Sequence, residues 1–400
     1  MKILHTADWH LGKRLDFFSR IEEQKLVMQE IVDIANEENV DIVIIAGDLF
    51  DTINPSTDAV ELFYKTLKQL SKNGNRPVLA IAGNHDSPSL IDAPDPLARV
   101  SGIFLVGYPN AIIKETTTDS FAITKTDRGF VEFQLNQFSY PIRILHTAFA
   151  NEIRLKQAFD ENKEEALNEV LAEHWKNLTN EYCDQNGVNI LTAHLYMNQK
   201  GSEILEEPDG EKPIKVGNAD MIYSTAIPEQ IQYTALGHIH KYWNIGTTEK
   251  PAIYSSSPLC YSFSEAGQTK YVNIINAEPN KIVEVNKIAL QNGKPLHRVT
   301  FDSVEKATHW LSENQNSLVE LTLECDEYLK VEDRKSLYQT HSGIIHLIPK
   351  ITQEKENNTE QKNINLNQDL PNLFKDYFKT KNNGQEPNDD IMNLLNEIIH

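Results

Sequence analysis

The run Val78-Leu79-Ala80-Ile81-Ala82-Gly83-Asn84-His85-Asp86-Ser87 constrains this chain more than any other stretch. An apolar segment of strand length stops at a glycine and is followed at once by three side chains able to hold charge or metal. In open α/β sheets, ligands collect beyond the carboxyl ends of strands, so an Asn-His-Asp cluster at that place is aimed at chemistry rather than packing. Standing alone, the cluster would serve equally well as a polar turn. Further strand ends of the same kind decide between the two readings.

The first is Lys2 to Ala7, which ends in Asp8-Trp9-His10. Period-two alternation puts Asp8 and His10 on one side of the chain and His5 on the other, so His5 is read as a packed, structural histidine. Val40 to Ala46 is nearly continuous Ile/Val, as a strand covered on both faces requires, and it runs into Gly47-Asp48-Leu49-Phe50-Asp51. Apolar spacing predicts helices over Ile21 to Asn36 (Ile21, Leu26, Val27, Ile31, Ile34) and Ser56 to Ser71, giving a β-α-β-α-β opening. Right-handed crossovers then set the three loops side by side. Further on, Asn189 to Ala193 ends in His194, and Tyr233 to Gly237 ends in His238-Ile239-His240, again two histidines on one side of an extended chain. His146 sits in an echo of the opening strand, but with Phe149 where Asp8 stood, and is read as shared strand grammar. Lys13, Arg14, Phe17 and Phe18 form a basic-aromatic loop suited to a phosphate backbone and a stacked base, or else an exposed loop with a helix start.

The strand-end set is oxygen and imidazole without sulfur, which suits Mn²⁺, Fe or Zn²⁺ and exceeds what one ion takes from protein. Two ions bridged by one carboxylate fit it better, and Asp48, central in the order, is the expected bridge. Composition narrows the setting. Over 400 residues, 40% hydrophobic and 24% charged side chains describe a globular chain of about two domains plus extensions. Three distant cysteines (Cys183, Cys260, Cys325) indicate neither a disulfide framework nor a thiolate zinc site, and are expected to be buried. A net charge of -20 excludes a nucleic-acid coat held by basic patches alone, so a nucleic-acid substrate needs bound metal, local Lys/Arg or a partner. Asp8 interrupts any apolar leader and no stretch reaches membrane-spanning length, so the expected setting is the cytoplasm, with no membrane.

In this order, Asp-x-His, Gly-Asp-x-x-Asp, Gly-Asn-His-Asp, His and Gly-His-x-His, the motifs resemble the calcineurin-like metallophosphoesterases. Asp8 to Gly12, Gly47 to Thr52 and Gly237 to His240, with Ser257-Pro258-Leu259 and Ser262 to Glu265, resemble the DNA-nuclease branch of that family over residues 1 to about 350. The resemblance implies an α/β calcineurin-like metallophosphoesterase fold, a β-sandwich flanked by helices, with a small α+β capping domain and C-terminal helices. It implies one metal site at Asp8, His10, Asp48 and His240, and a second at Asp48, Asn84, His194 and His238. His85 is implied as a non-ligand catalytic histidine near the leaving oxygen, where an alkoxide needs a proton or positive charge. The ions implied are two divalent cations, Mn²⁺ in kind. The substrate implied is DNA, as double-stranded ends (exonuclease) and hairpins or single strands (endonuclease), in repair and recombination. An SMC-like ATPase partner and a homodimer within a heterotetramer complete the expectation.

The expected organisation is a nuclease domain over 1–290, a capping domain over 291–351 read as β-α-β-α-β, a flexible linker over 352–369 poor in apolar residues, and a helical partner-binding segment over 370–400. In that last segment Leu373, Phe374 and Phe378, then Leu394, Leu395 and Ile398, form apolar faces that need a partner groove or their own domain. Two other classes remain. A small-molecule phosphodiesterase or a phosphatase would share the metal set, although protein phosphatases of the family carry Arg after the second motif, where this chain has Asp51-Thr52-Ile53. A binding scaffold with a dead site is disfavoured because no ligand position is missing.

Overall fold

The computed structural model describes residues 1–155, 163–207, 221–325, 329–351 and 370–381, with single positions at 387, 392 and 395. Met1–Lys350 form one compact unit and Ile351–His400 a second. The first unit opens with β1 (Lys2–Thr6), α1 (Ile21–Glu37), β2 (Ile42–Ala46), α2 (Thr57–Leu70), β3 (Val78–Ile81) and β4 (Ile103–Val106). These four strands are parallel neighbours in one sheet, in the expected β-α-β-α-β sense. Every residue of β2 is buried, which is why its sequence shows no polar alternation. α2 starts at a Ser56 cap whose hydroxyl accepts from the Ala59 N–H. In α1 the buried stripe is Val27, Met28, Ile31, Val32 and Ala35, whereas Leu26, expected on that face, is 59% exposed.

A second sheet is built from β5 (Phe121–Asp127), β6 (Phe130–Leu135), β7 (Ile142–Thr147), β8 (Val188–His194), β9 (Tyr233–Gly237), β10 (Trp243–Asn244) and β11 (Ala252–Tyr254), in the order β10-β11-β9-β8-β7-β6-β5. The antiparallel hairpin β12 (Tyr271–Asn276) and β13 (Glu284–Ala289) closes the first sheet against β1. Alternation along the second sheet decides the packing. Ile144, Ile190 and Ala235 join Ile3, Ile42 and Ile44 in the core between the sheets, while Leu145, Leu191 and Leu236 face the helix α3 (Lys163–Tyr182) with Leu171 and Trp175. The result is the expected sandwich of two sheets flanked by helices. His5 stitches it, with Nδ1 2.8 Å from the Tyr233 hydroxyl and Nε2 3.2 Å from the Leu236 carbonyl oxygen, so its structural reading holds.

His146 is fully buried and neither ring nitrogen has a hydrogen-bond partner. Burial, with His174 nearby, pushes its pKa down to about 3. The unfolded chain therefore takes up a proton near pH 6.5 that the folded chain refuses, so stability is complete above 6.5 and falls as pH drops toward 3. At about 1.4 kcal/mol per pH unit the loss approaches ~4 kcal/mol at the acid end. A His146→Leu chain should match or exceed the parent at pH 7.5 and outlast it at pH 5. Thermal unfolding curves at the two pH values that shift in parallel would refute this.

Beyond the hairpin, β14 (Leu296–Phe301), α4 (Val304–Glu313), β15 (Leu318–Cys325), α5 (Val331–Thr340) and β16 (Ile344–Ile351) form a three-stranded sheet of their own with β15 in the middle. Leu296, Leu318 and Ile345 of this module pack on Leu15 and Phe263, and His346 pairs with both Glu320 and Asp16. Lys13 to Ser19 is not a helix start: Arg14–Leu15 and Phe18–Ser19 pair as a short antiparallel ribbon. The cysteines are free but only half-buried, against the expectation of full burial. In the second unit α6 (Leu370–Lys381) is helical and places Phe374 and Phe378 with ring centroids 6.0 Å apart. The expected linker lies outside the described residues, as does the rest of the tail apart from the single positions. Among the described residues no helix is long and apolar enough to cross a membrane.

Candidate metal centre

The carboxyl ends of β1, β2, β3, β8 and β9 meet at one edge of the sandwich. Asp8 N–H donates to the Gly47 carbonyl at 2.9 Å and His10 N–H to that of Asp48 at 2.9 Å, which ties the first two loops together. The His194 ring sits against the Ala46 carbonyl (Nδ1 to O 2.9 Å), joining the second sheet to the first. Close approach sets the residue types around it. A Cβ on Gly47, itself at φ +94°, would lie 2.1 Å from His194 Nδ1, and one on Gly83 would lie 2.0 Å from Asp48 Oδ1.

Asp8 (φ 55°), His10 (φ 43°), Asp48 (φ 47°) and His238 (φ 109°) all occupy left-handed backbone. Such conformations cost about 1–3 kcal/mol each and persist where surrounding structure holds them, most often at functional sites. They also correct the expected route to convergence. β1 ends at Thr6 and β9 at Gly237, so Asp8 and His10, or His238 and His240, converge through sharp turns and not through strand alternation.

The structure brings the expected ligands together at one place, all buried except the half-buried Asn84. Asp8, His10 and His240 offer atoms within 4.8 Å of one another, and so do Asp48, His194 and His238. Asp48 lies between the groups, with Oδ2 3.5 Å from His10 Nε2 and 3.3 Å from His194 Nε2. Its Oδ1 accepts the His85 N–H at 2.9 Å. Asn84 joins through Oδ1, 2.9 Å from His194 Nε2. The His10 and His240 Nε2 atoms face each other at 3.0 Å. His85 packs edge-on to the His10 ring and places Nδ1 2.7 Å from the Asp51 carbonyl oxygen.

Electrostatics follow from burial and crowding. Burial pushes the Asp8 carboxyl upward. Burial also acts to raise Asp48, but the His194 and His10 imidazoles hold it well below the usual carboxylate range. His194 is raised above an ordinary imidazole because Asp48 and Asp8 outweigh its burial. Asp8 Oδ2 is buried with no hydrogen-bond partner, an open lone-pair acceptor inside a cluster of nitrogen and oxygen donors. That orphan, and donors without sulfur, fit a centre for two divalent metal ions.

Several contributors were not among the expected ligands or catalytic residues. Asp86 Oδ2 accepts from Leu49 N–H (3.0 Å) and Gly83 N–H (2.8 Å), and Oδ1 from Phe50 N–H (2.9 Å), so this carboxylate fixes two of the loops without facing the ions. Asp51 lies beside His10 and His85 and pairs with Lys13 at 2.9 Å. Glu265 sits 3.4 Å from His240 Nδ1 and pairs with the buried Lys270, which also donates to the His240 carbonyl at 2.7 Å. The Lys270 ammonium and the His240 ring hold Glu265 below the usual carboxylate range although burial opposes this. A carboxylate behind a ligating imidazole fixes its tautomer and raises its basicity. The Ser262 to Glu265 capping box was the one local hint of Glu265. Glu207 stands 2.7 Å from His238 Nε2 and was not foreseen.

Comparison with known proteins agrees with the geometry. Residues 1–242 match the family described as calcineurin-like phosphoesterase. The SbcD subunit of nuclease SbcCD from Bacillus subtilis (strain 168) is 34% identical over 403 aligned residues, covering 100% of this chain and 97% of the relative. Its namesake from Staphylococcus epidermidis (strain ATCC 12228 / FDA PCI 1200) is 26% identical over 414 aligned residues, covering 100% of this chain and 99% of that one. A centre fit for two metal ions at the strand ends of a two-sheet sandwich, and likeness along the whole length, lead to one conclusion: the chain belongs to the calcineurin-like phosphoesterase family, in its SbcD branch.

Proposed function

We propose that this chain is the metal-dependent nuclease subunit of an SbcCD-type complex, hydrolysing DNA phosphodiester bonds at double-stranded ends and in hairpins during repair and recombination. The observation that carries the reading is the pair of ligand clusters with Asp48 beside an imidazole of each and an orphaned Asp8 oxygen in the first, in a chain alike over its full length to subunits named as nucleases. The first ion is assigned to Asp8, His10, Asp48 and His240 and the second to Asp48, Asn84, His194 and His238, with Mn²⁺ the proposed metal. Two such cations activate water at neutral pH and offset charge developing on the phosphoryl oxygens. The protein does the rest. Asp86 holds the Asp48 and Gly83 loops in register, and Glu265 with Lys270 aims His240. His85 Nδ1–H donates to the Asp51 carbonyl, which orients the ring, and in its imidazolium form the Nε2–H is the proton given to the departing oxygen.

End-labelled duplex and hairpin DNA incubated with the full chain and Mn²⁺ should release labelled products that vanish with chelator. Hydrolysis of small phosphate esters with DNA left whole would favour the alternative, a small-molecule phosphodiesterase or phosphatase.

The proposed partners are an SbcC-type SMC-like ATPase and a second copy of this chain in a cytoplasmic heterotetramer. Leu97 and Val100, 78% and 73% exposed at the short helix Asp95–Arg99, offer apolar surface for the second copy. Deleting 370–400 should spare cleavage by the isolated chain, because every proposed ligand precedes Lys241, and should weaken association with the ATPase. Leu373, Phe374 and Phe378 are the proposed anchors in α6, each worth roughly 1.5–3 kcal/mol when buried. Co-purification of the truncated chain at undiminished affinity would refute that role.

A further inference from the structure

Beside the metal centre lies a cavity of about 740 Å³ that the reaction described above does not use. His240 forms part of its wall, so it adjoins the ligand cluster directly. Its apolar surface comes from the buried Ile239 and Ile245 and from Trp243, which is 42% exposed at the mouth. Lys241 holds its ammonium 5.3 Å over the Trp243 ring. The wall also carries Glu203, Glu206, Glu207 and Glu265.

Charge decides what such a space accepts. Four carboxylates repel a phosphate, whereas a flat neutral ring avoids that repulsion and gains an aromatic face. The amides along the wall are already engaged: Gln199 Nε2 donates to the Ile245 carbonyl at 2.8 Å, Asn198 Nδ2 to that of Glu203 at 2.7 Å, and Asn244 Oδ1 accepts from Gly246 and Ala252 N–H groups. A ring placed here is held mainly by stacking. The volume lies within the roughly 300–1,000 Å³ range of small-ligand pockets, enough for one nucleotide's base and sugar.

We propose that this cavity receives the nucleobase next to the scissile phosphodiester, unstacked from its strand and laid on Trp243, with Lys241 facing the adjoining phosphate. The inference rests on the nuclease reading above and deepens it: the enzyme would grip a strand end through a base, without regard to sequence.

The test compares DNA duplexes that end in an ordinary nucleotide with duplexes whose terminal nucleotide, 3′ or 5′, is abasic. The parent chain should cut the abasic end roughly 5- to 100-fold less efficiently in kcat/KM, the span of one base stacked on an aromatic ring. Trp243→Ala should cut ordinary ends at the parent's abasic rate and show no further abasic penalty, while Trp243→Phe keeps most of the preference. A Trp243→Ala chain that cuts ordinary ends like the parent and keeps the penalty would overturn the proposal and leave the nuclease reading standing. A parent chain that releases nothing from ordinary ends would overturn both. Added deoxynucleoside monophosphate separates the other source of a base: inhibition of the parent with no abasic penalty would mean that free nucleotide fills the cavity, which also overturns the proposal.

Discussion

Replacing Asp48 by Ala should strip the centre of both ions and lower Mn²⁺-dependent cleavage by three orders of magnitude or more. Asp48 is 2% exposed and, among the described residues, is the one carboxylate whose oxygen lies within 3.5 Å of an imidazole from each cluster. Neither Asp8 nor Asp51 substitutes. Asp8 is grouped with His10 and His240 and uses Oδ1 to accept the His238 N–H at 2.8 Å, and Asp51 pairs with Lys13. The substitution also removes the negative charge that raises the His194 pKa, and it frees the His85 N–H from its acceptor. Two-ion centres contribute several kcal/mol of transition-state stabilisation, and each 1.36 kcal/mol is tenfold in rate, which sets the magnitude. Metal analysis is the decisive measurement. Two equivalents still bound to Asp48→Ala would remove Asp48 from its bridging role whatever the residual rate.

His85→Ala should behave in the opposite way, keeping both ions and DNA affinity while turnover falls by about 10² to 10⁴, the usual worth of a positioned proton donor. His85 lies close enough to His10 and Asp51 to be mistaken for a ligand, since the three offer atoms within 4.8 Å of one another. Its Nδ1 is 2.7 Å from a backbone carbonyl, and a carbonyl acceptor fixes the proton on that nitrogen. The imidazolium form then carries the transferable proton on Nε2. Loss of a metal equivalent in His85→Ala, alongside lost turnover, would make it a ligand and leave the leaving oxygen without its assigned donor. Because Asp48→Ala and His85→Ala both abolish most activity, only the metal count tells their roles apart.

How far the chain could be understood from its residues differs by element. β2 was legible because Val40 to Ala46 admits only a strand buried on both faces, and the strand-end placement of Asp48, Asn84, His194 and His238 followed from where apolar runs stop. Leu26 shows the limit at the next level: its spacing fits the stripe of α1, but only packing against the sheet decides which edge of that stripe is covered, and Leu26 falls outside. Asp8 and His10 were rightly paired for a wrong local reason, since left-handed backbone and not strand alternation turns them together. Glu265 and Lys270 were invisible as partners of His240 because a buried ion pair has no periodicity to betray it. Local features lay within reach of the residues alone: which segments are strands, which loops follow them and which ligating atoms those loops carry, because hydrophobic period and residue chemistry are properties of short stretches. Which loops from the two sheets meet, and what stands behind each ligand, is settled only by folding. Those contacts join residues far apart in the chain, 230 positions for Asp8 with His238, and their energies depend on a burial that exists only once both sheets have closed on each other.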